Sequence, residues 1–321
     1  MSSKRTKPCP SEEKAGNRGF TVIDPGWASR VVDVGRPGTR SLGVPVGGAA
    51  DRASWMLGNA LVGNSPESPA LEIAVKGPIL RAECELGCVV YGAPFVLSSA
   101  RQSLRMGRTF TLAPGEELHI GGAPVCMRAY LCVPGGFQVP MILGSASALD
   151  LLRRGDTLTC VSSRLGSRFI ERDPGFEEWT ASATLRFVPG PQADWFDAAQ
   201  FSAQSFVISP ASNRMGLRLQ GKPLTMPVRE LLSEPVCPGS VQVTKDGQCI
   251  ILGVDGQTIG GYPKIAQVIR ADLDALGQIR PGAKVRFQQV DLKTALELDQ
   301  QRRQMLNEWT TRMRVSIGAT Q

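Results

Sequence analysis

A mainly β protein with a few helices is the fold class this chain predicts. Three observations carry that expectation. Its 321 residues include 35 Gly and 23 Pro, which punctuate the chain with turns; short apolar or alternating runs lie between those turns; and an apolar fraction of 42% supplies a core with only 6% aromatics. At about 150 residues per domain, the length suits two domains.

Residues 1–18 form a basic segment with no apolar run behind it, expected to be a disordered tail, neither signal peptide nor membrane anchor. Phe20 to Ile23 and Arg30 to Val34 read as strands, closed by the turn Gly35-Arg36-Pro37-Gly38. A helix is predicted from Asp51 to Val62, because Ala53, Met56, Leu57, Ala60 and Leu61 share one face. Asp51 suits its N-cap and Gly63-Asn64 its stop. Leu71, Ile73 and Val75 alternate along the next strand, and short strands follow near 79–84, 87–91, 94–98 and 108–112. Val125, Met127, Ala129, Leu131 and Val133 alternate along another, ended by Pro134-Gly135-Gly136.

The pattern lapses over 161–183, where Ser162-Ser163, Gly166-Ser167, Asp173-Pro174-Gly175 and Glu177-Glu178 read as a linker. A second β-rich unit begins near Thr184, with a short helix around Ala193 to Gln200 and strands near 205–209, 215–219, 240–243, 249–254 and 284–290. Asp291 is placed to cap a last helix running to about Arg312. Its apolar residues Leu292, Ala295, Leu298, Met305 and Trp309 make a broken stripe, so the helix is expected to be exposed, the alternative being contact with a partner. The predicted division is 1–18 tail, 19–160 first unit, 161–183 linker, 184–296 second unit and 297–321 helix and tail.

Charge and motifs exclude several functions. The net charge of +7 divides into +3 within residues 1–18 and +3 within 302–321, leaving a nearly neutral body without the basic stripe of a nucleic-acid-binding domain. No apolar run reaches the ~20 residues of a membrane span. Eight cysteines without a C-x-x-C pair, several in apolar runs, fit reduced thiols in a cytoplasm. His119 is the only histidine, which rules out a multi-histidine metal site and leaves a Ser-His-Asp triad without support, as no G-x-S-x-G elbow is present. There is no Walker P-loop and no Met-Lys-Met segment of the kind that carries biotin.

The segment richest in chemistry is Asp255-Gly256-Gln257-Thr258-Ile259-Gly260-Gly261-Tyr262-Pro263-Lys264, straight after the apolar run Cys249 to Val254. Glycines there admit a ligand close to backbone N–H groups, and the Asp255, Gln257 and Thr258 side chains are expected to converge on one spot. The plain alternative is a solvated surface turn. Glu72, between Leu71 and Ile73, needs a partner if buried, and Arg36 is the candidate.

Ordered motifs run through both units: Asp33-Val34-Gly35-Arg36-Pro37-Gly38, Gly43 through Asp51, Leu71-Glu72, Pro189-Gly190-Pro191, Asn213-Arg214-Met215-Gly216, and the Asp255 to Lys264 loop. Taken together over roughly residues 19–296 they resemble the biotin-dependent carboxyltransferase A/B domain, as found in proteins of the second allophanate-hydrolase subunit type and in the C subunit of bacterial 5-oxoprolinase. The resemblance implies two cyclophilin-like β-barrel units and a B-subunit homologue as partner, with a lactam-utilisation A-subunit as an optional third component. It implies ATP-dependent opening of 5-oxo-L-proline to L-glutamate, with ATP and magnesium as cofactors and a small amide or lactam as substrate. The alternatives it implies are carboxyl transfer using biotin carried on another protein, and a non-catalytic regulatory protein that antagonises a kinase inhibitor. Under it Arg36, Asp51, Arg214 and Asp255 are the catalytic candidates. Gln242, Gln257, Thr258, Gly260, Gly261, Tyr262 and Lys264 are the binding candidates, and Asp33, Asp51 or Asp255 would hold magnesium or act as base. The chain departs from the family pattern at Val32, Gly47, Ala146, Asn213 and Gly256, and is shorter before Gly155.

Overall fold

A computed structural model of the chain describes residues 19–170 and 182–318. The expected basic tail, the Asp173-Pro174-Gly175 and Glu177-Glu178 part of the linker, and residues 319–321 lie outside the described residues. Strands dominate, as the density of Gly and Pro turns requires. The first unit is built from two five-stranded sheets. One runs Thr157–Leu158, Phe20–Asp24, Ile79–Ala82, Glu117–Ile120, Leu97–Ser98; the other runs Ala28–Val32, Ala70–Ala74, Arg128–Cys132, Leu86–Gly92, Phe110–Leu112. Phe20, Leu71, Ile73, Leu80, Val90, Leu118 and Leu131 form the core between them.

The second sheet is covered on both faces. Helix α1, Arg52–Leu61, lies on its outer side and packs Trp55, Leu57 and Leu61 against Val89, Tyr91, Tyr130 and Cys132. Gly58 allows the close approach, since a Cβ there would stand 2.8 Å from Cys132 Sγ. Double coverage explains why Ala70–Ala74 and Arg128–Cys132 are buried at every position, although the sequence alternates there as if one face were wet. It also buries α1 almost all round: Trp55 is fully enclosed and donates from Nε1 to Ser68 O at 2.9 Å, while Met56, expected on the apolar face, is half-buried. Asp51 is the N-cap, accepting from Ser54 N at 3.0 Å.

The second unit closes into a seven-stranded barrel in the order Ser182–Pro189, Lys264–Val268, Ser240–Val243, Cys249–Leu252, Gly216–Gln220, Phe206–Ile208, Lys284–Gln289. The closing pair, Ser182–Pro189 with Lys284–Gln289, is parallel. The barrel expectation is thus met by the second unit, while the first is a pair of sheets. The helix expected around 193–200 is a 3-10 turn, Ala193–Trp195, followed by α2, Ala198–Ser202. Phe201 of α2 packs against Phe187, Phe206 and Phe287 with ring centroids 4.5 to 5.8 Å apart, filling the barrel interior with edge and tilted aromatic contacts. Helix α3, Leu273–Gln278, joins two barrel strands, Lys264–Val268 and Lys284–Gln289.

Helix α4, Leu292–Gly318, starts where expected, with Thr294 N donating to Asp291 Oδ1 at 2.7 Å. Its expected exposure is corrected. Ala295, Asp299, Leu306, Thr310 and Met313 are buried, and Leu306 and Met313 join the core under α1. The apolar stripe looked broken because Asp299 and Thr310 share the buried face; Asp299 pairs with Arg303 at 3.1 Å, and Thr310 donates to Leu306 O. Among the described residues no helix is long and apolar enough to cross a membrane. The described cysteines form no disulfide among themselves, and burial pushes the thiols of Cys88, Cys132, Cys160 and Cys249 up.

Leu306→Ala is expected to destabilise the protein by about 2–5 kcal/mol in urea unfolding, through the cavity it leaves against α1. Leu296→Ala, on the exposed side of the same helix, is expected to change stability by no more than about 0.5 kcal/mol.

Candidate functional site

Both faces of strand Ala70–Ala74 are covered, so the Glu72 carboxylate is buried and needs internal partners. Arg128 Nε donates to Oε1 at 3.3 Å, and Arg214 Nη1 donates to the same oxygen. Ala50 N and Tyr130 Oη donate to Oε2, both at 2.9 Å. Burial pushes this carboxyl up, but the charges of Arg214 and Arg128, with those donors, outweigh it and hold it at about 2. Register accounts for the local partners: Tyr130 stands opposite Glu72, and Arg128, two residues earlier, projects to the same face. The expected Arg36 partnership is corrected. Arg36 donates from Nε to Ile142 O at 3.0 Å and from Nη2 to Ser147 O at 2.7 Å, while Arg214 arrives from the other unit to take the place beside Glu72.

Arg214 spans the seam between units. Its Nε and Nη2 fork onto Asp255 Oδ2 and Oδ1 at 2.7 and 3.0 Å, and Nη2 also reaches Gly48 O at 2.7 Å. Backbone bonds hold the loops in place: Asp255 N to Arg214 O at 3.1 Å, and Gly47 N to Val254 O at 3.0 Å. Arg30 Nη1 lies 3.6 Å from Asp255 Oδ2. The Gly47-Gly48 turn requires glycine, with φ of +66° and +80°, and a Cβ on Gly48 would meet Val34 O at 2.8 Å. A Cβ on Gly47 would lie 3.6 Å from Arg36 Nη1 and 3.7 Å from Asp255 Oδ1. Three of the four catalytic candidates, Arg36, Arg214 and Asp255, therefore surround one turn.

The remaining candidates lie elsewhere. Asp255, Gln257 and Thr258 do not converge, because the bend turns successive side chains different ways. Gln257 Nε2 donates to Gln242 Oε1 at 3.2 Å, and Gln242 Nε2 reaches Tyr262 O at 3.5 Å. Thr258 is buried, and its carbonyl accepts from Val236 N. Gly260 pairs with Glu234 in a two-stranded ribbon, beside exposed Gly261. Lys264 Nζ bonds Pro235 O at 3.0 Å and Glu234 at 3.1 Å. Tyr262 borders a surface groove with Arg218 and Lys245.

Asp51, the fourth catalytic candidate, is buried in the seam under α3. It accepts from Ser54 Oγ and from Gln278 Nε2, both at 2.6 Å. Burial and the charge of Asp274 raise its carboxyl to about 7, against the pull of those donors. Gln278 has every polar atom paired, since its Oε1 also accepts from Met127 N and Arg128 N and its Nε2 also donates to Arg128 O. Sequence reading passed over Arg30, Arg128 and Gln278. Arg128 left a signal, an arginine inside an apolar alternation, whereas Gln278 left none. His119 is exposed beside Glu117.

A family model for the carboxyltransferase domain, subdomain A and B, matches residues 42–289. The chain belongs to that family. It is 36% identical to the C subunit of 5-oxoprolinase from Escherichia coli, over 88% of this chain and 95% of that one. It is 32% identical to the Haemophilus influenzae protein of the same name, over 86% and 93%. Among solved structures, the urea amidolyase of Kluyveromyces lactis superposes with a TM-score of 0.82 at 26% identity, covering 93% of this chain and 20% of that one. The chain therefore spans only a fifth of that larger protein.

In this family member a cavity of about 150 Å³ lies between the units, bordered by Val46, Gly47, Ala50, Arg214, Leu217 and Leu276. Magnesium does not fit the three aspartates expected to hold it. Asp33 accepts from Ser145 Oγ, Ser147 Oγ, Gly35 N and Ala146 N, Asp51 is a sealed helix cap, and Asp255 is clamped by Arg214. Among the described residues no group of three or more His, Cys, Asp or Glu is placed to hold a metal.

Glu72→Gln is expected to cost about 3–5 kcal/mol in urea unfolding, because it leaves two buried guanidiniums short of charge. The ordinary carboxyl near 4 is depressed in the fold, so the contribution of Glu72 is present above that pH and is lost as pH falls towards 2. Asp51 has the opposite sign: an acid near 4 in the unfolded chain and about 7 in the fold makes stability fall as pH rises between those values. Asp51→Asn is expected to flatten that decline, read as urea midpoints at pH 5 and 7.5.

Proposed function

We propose that the chain is the C-type component of an ATP-dependent 5-oxoprolinase, converting 5-oxo-L-proline to L-glutamate together with a B-subunit homologue. The observation that carries this reading is the 36% identity that spans nearly the whole of the E. coli C subunit. The chemistry accords with it. A lactam carbonyl is a poor electrophile until its oxygen is phosphorylated, and both the charge on that oxygen and the later oxyanion call for fixed donors. Arg36 and Arg214 are fixed guanidiniums, each held by at least two hydrogen bonds. They orient a small polar ligand without reorganising as charge develops. ATP and its magnesium are assigned to the assembled complex rather than to Asp33, Asp51 or Asp255. A cytoplasmic location, where free thiols persist, belongs to the same reading.

The superposition on urea amidolyase favours one second reading, carboxyl transfer with biotin delivered on another protein. Co-expression with a B-subunit homologue, with and without the lactam-utilisation A-subunit, separates the two. The expected outcome is 5-oxoproline-dependent ADP release that the chain alone does not give. No ADP from any combination, beside carboxylation that depends on a biotinylated carrier, would reverse the order.

A further inference from the structure

The hairpin tip at residues 142–145 carries a leucine where backbone and solvent both disfavour one. Ile142 N donates to Ser145 O at 2.8 Å and Ser145 N returns a bond to Ile142 O at 3.1 Å, which leaves Leu143 and Gly144 as the two central residues. Their φ angles are +51° and +76°, both left-handed as in a type I′ turn, where Asn-Gly is the preferred pair. A Cβ strains a left-handed backbone, and the Leu143 side chain is also 59% exposed. Met141 and Ile142 before it and Leu149 and Leu151 after it are exposed as well. Open space surrounds the other central residue, since a Cβ on Gly144 would meet nothing within 4 Å. The base of the hairpin, by contrast, is held firmly. Asp33 accepts from Ser145 Oγ, Ala146 N and Ser147 Oγ, and Arg36 donates to Ile142 O and Ser147 O.

We propose that this tip is a docking knob for the B-subunit homologue, with Leu143 as the side chain that enters an apolar pocket of that partner. This inference rests on the 5-oxoprolinase reading for the identity of the partner, not for the presence of the knob. Strain on a firmly held base describes a contact built in advance: the partner meets a turn already ordered, so little entropy is lost on binding. Burial of Leu143 in the partner then offsets the cost of keeping it left-handed and in water. A cluster of exposed apolar side chains around it extends the contact. The knob is continuous with the candidate site, because Arg36, which holds it, is one of the three catalytic candidates around the Gly47-Gly48 turn. A second copy of this chain fits the knob less well. A two-fold interface has to be complementary to itself, and one projecting turn does not receive another. The similar module in the Kluyveromyces lactis urea amidolyase makes up 20% of its chain and is joined to other polypeptide for the remaining length.

The test measures calorimetric binding of the full chain to its B-subunit homologue, with melting curves and light scattering on the chain alone. Leu143→Asn supplies the preferred Asn-Gly pair and removes the apolar side chain. It is expected to melt at or above the temperature of the parent and to bind the partner about tenfold more weakly or worse. Opposite signs for stability and affinity separate a docking residue from a structural one. Light scattering is expected to show a monomer. Partner binding by Leu143→Asn at the level of the parent, or no binding of the parent to the partner, overturns the knob. So does a melting temperature lowered by more than about 5 °C, the sign that this chain itself covers Leu143. A dimer of the chain alone that Leu143→Asn dissociates assigns the tip to a second copy and overturns the proposal too. Partner binding that depends on Leu143, with no 5-oxoproline-dependent ADP release from any combination of subunits, keeps the knob and overturns the 5-oxoprolinase reading. ADP release by a complex that Leu143→Asn joins as tightly as the parent keeps that reading and overturns the knob.

Discussion

A carboxylate enclosed in the middle of a β-sheet, shared by one guanidinium from its own unit and one from the other, is the constraint on which the arrangement depends. Glu72 cannot be buried unpaired without a penalty of several kcal/mol, and Arg128 alone leaves part of its hydrogen-bonding capacity open. Arg214 completes it, and in doing so fixes the 213–216 turn of the barrel against the Gly47-Gly48 turn of the first unit. Asp255 is placed by the same guanidinium. Arg214 and Asp255 thus take their positions beside Gly47, directly and through one neighbour, from Glu72.

Polar contacts continue along the seam beyond Glu72. Gln278 joins Asp51 to the backbone of Arg128, Arg128 reaches Gly277 O, and Asp274 accepts from Arg52 N and pairs with Arg302 of α4. Directional bonds of this kind specify one relative placement of the units, which apolar packing, being non-directional, does less sharply. Arg36 is fixed separately, by the carbonyls of a 142–147 segment that Asp33 anchors through both serine hydroxyls. The result is a set of charges oriented before any ligand arrives, the arrangement that stabilises developing charge most effectively.

Local chemistry was legible wherever neighbours in sequence decide it. The Asp51 cap, the stop at Gly63-Asn64, the Asp291 start of the last helix and the abundance of short strands all follow from dihedral preference and periodicity within a few residues. The pairing of Arg214 with Asp255 lies within reach of motif reading, since both belong to segments singled out by composition. Two kinds of feature were not legible. One is the second burial of the sheet that holds Glu72, by α1 and by Arg214 from the barrel, which makes alternation a poor guide to exposure at Glu72 and Tyr130. The other is the divergence of Asp255, Gln257 and Thr258, which depends on how the bend alternates after Leu252.

The order of residues was enough to establish a strand-rich chain, its family, and the polar turns that bear its chemistry, because each rests on short-range patterning. Which carboxylate meets which guanidinium was left to packing. Glu72 and Arg214 are 142 residues apart in the chain, Asp51 and Gln278 are 227 apart, and no periodicity encodes such a distance. Partners at that separation are selected by desolvation: once the two units close, a buried charge accepts the nearest opposite charge, and only the closed seam determines which one that is.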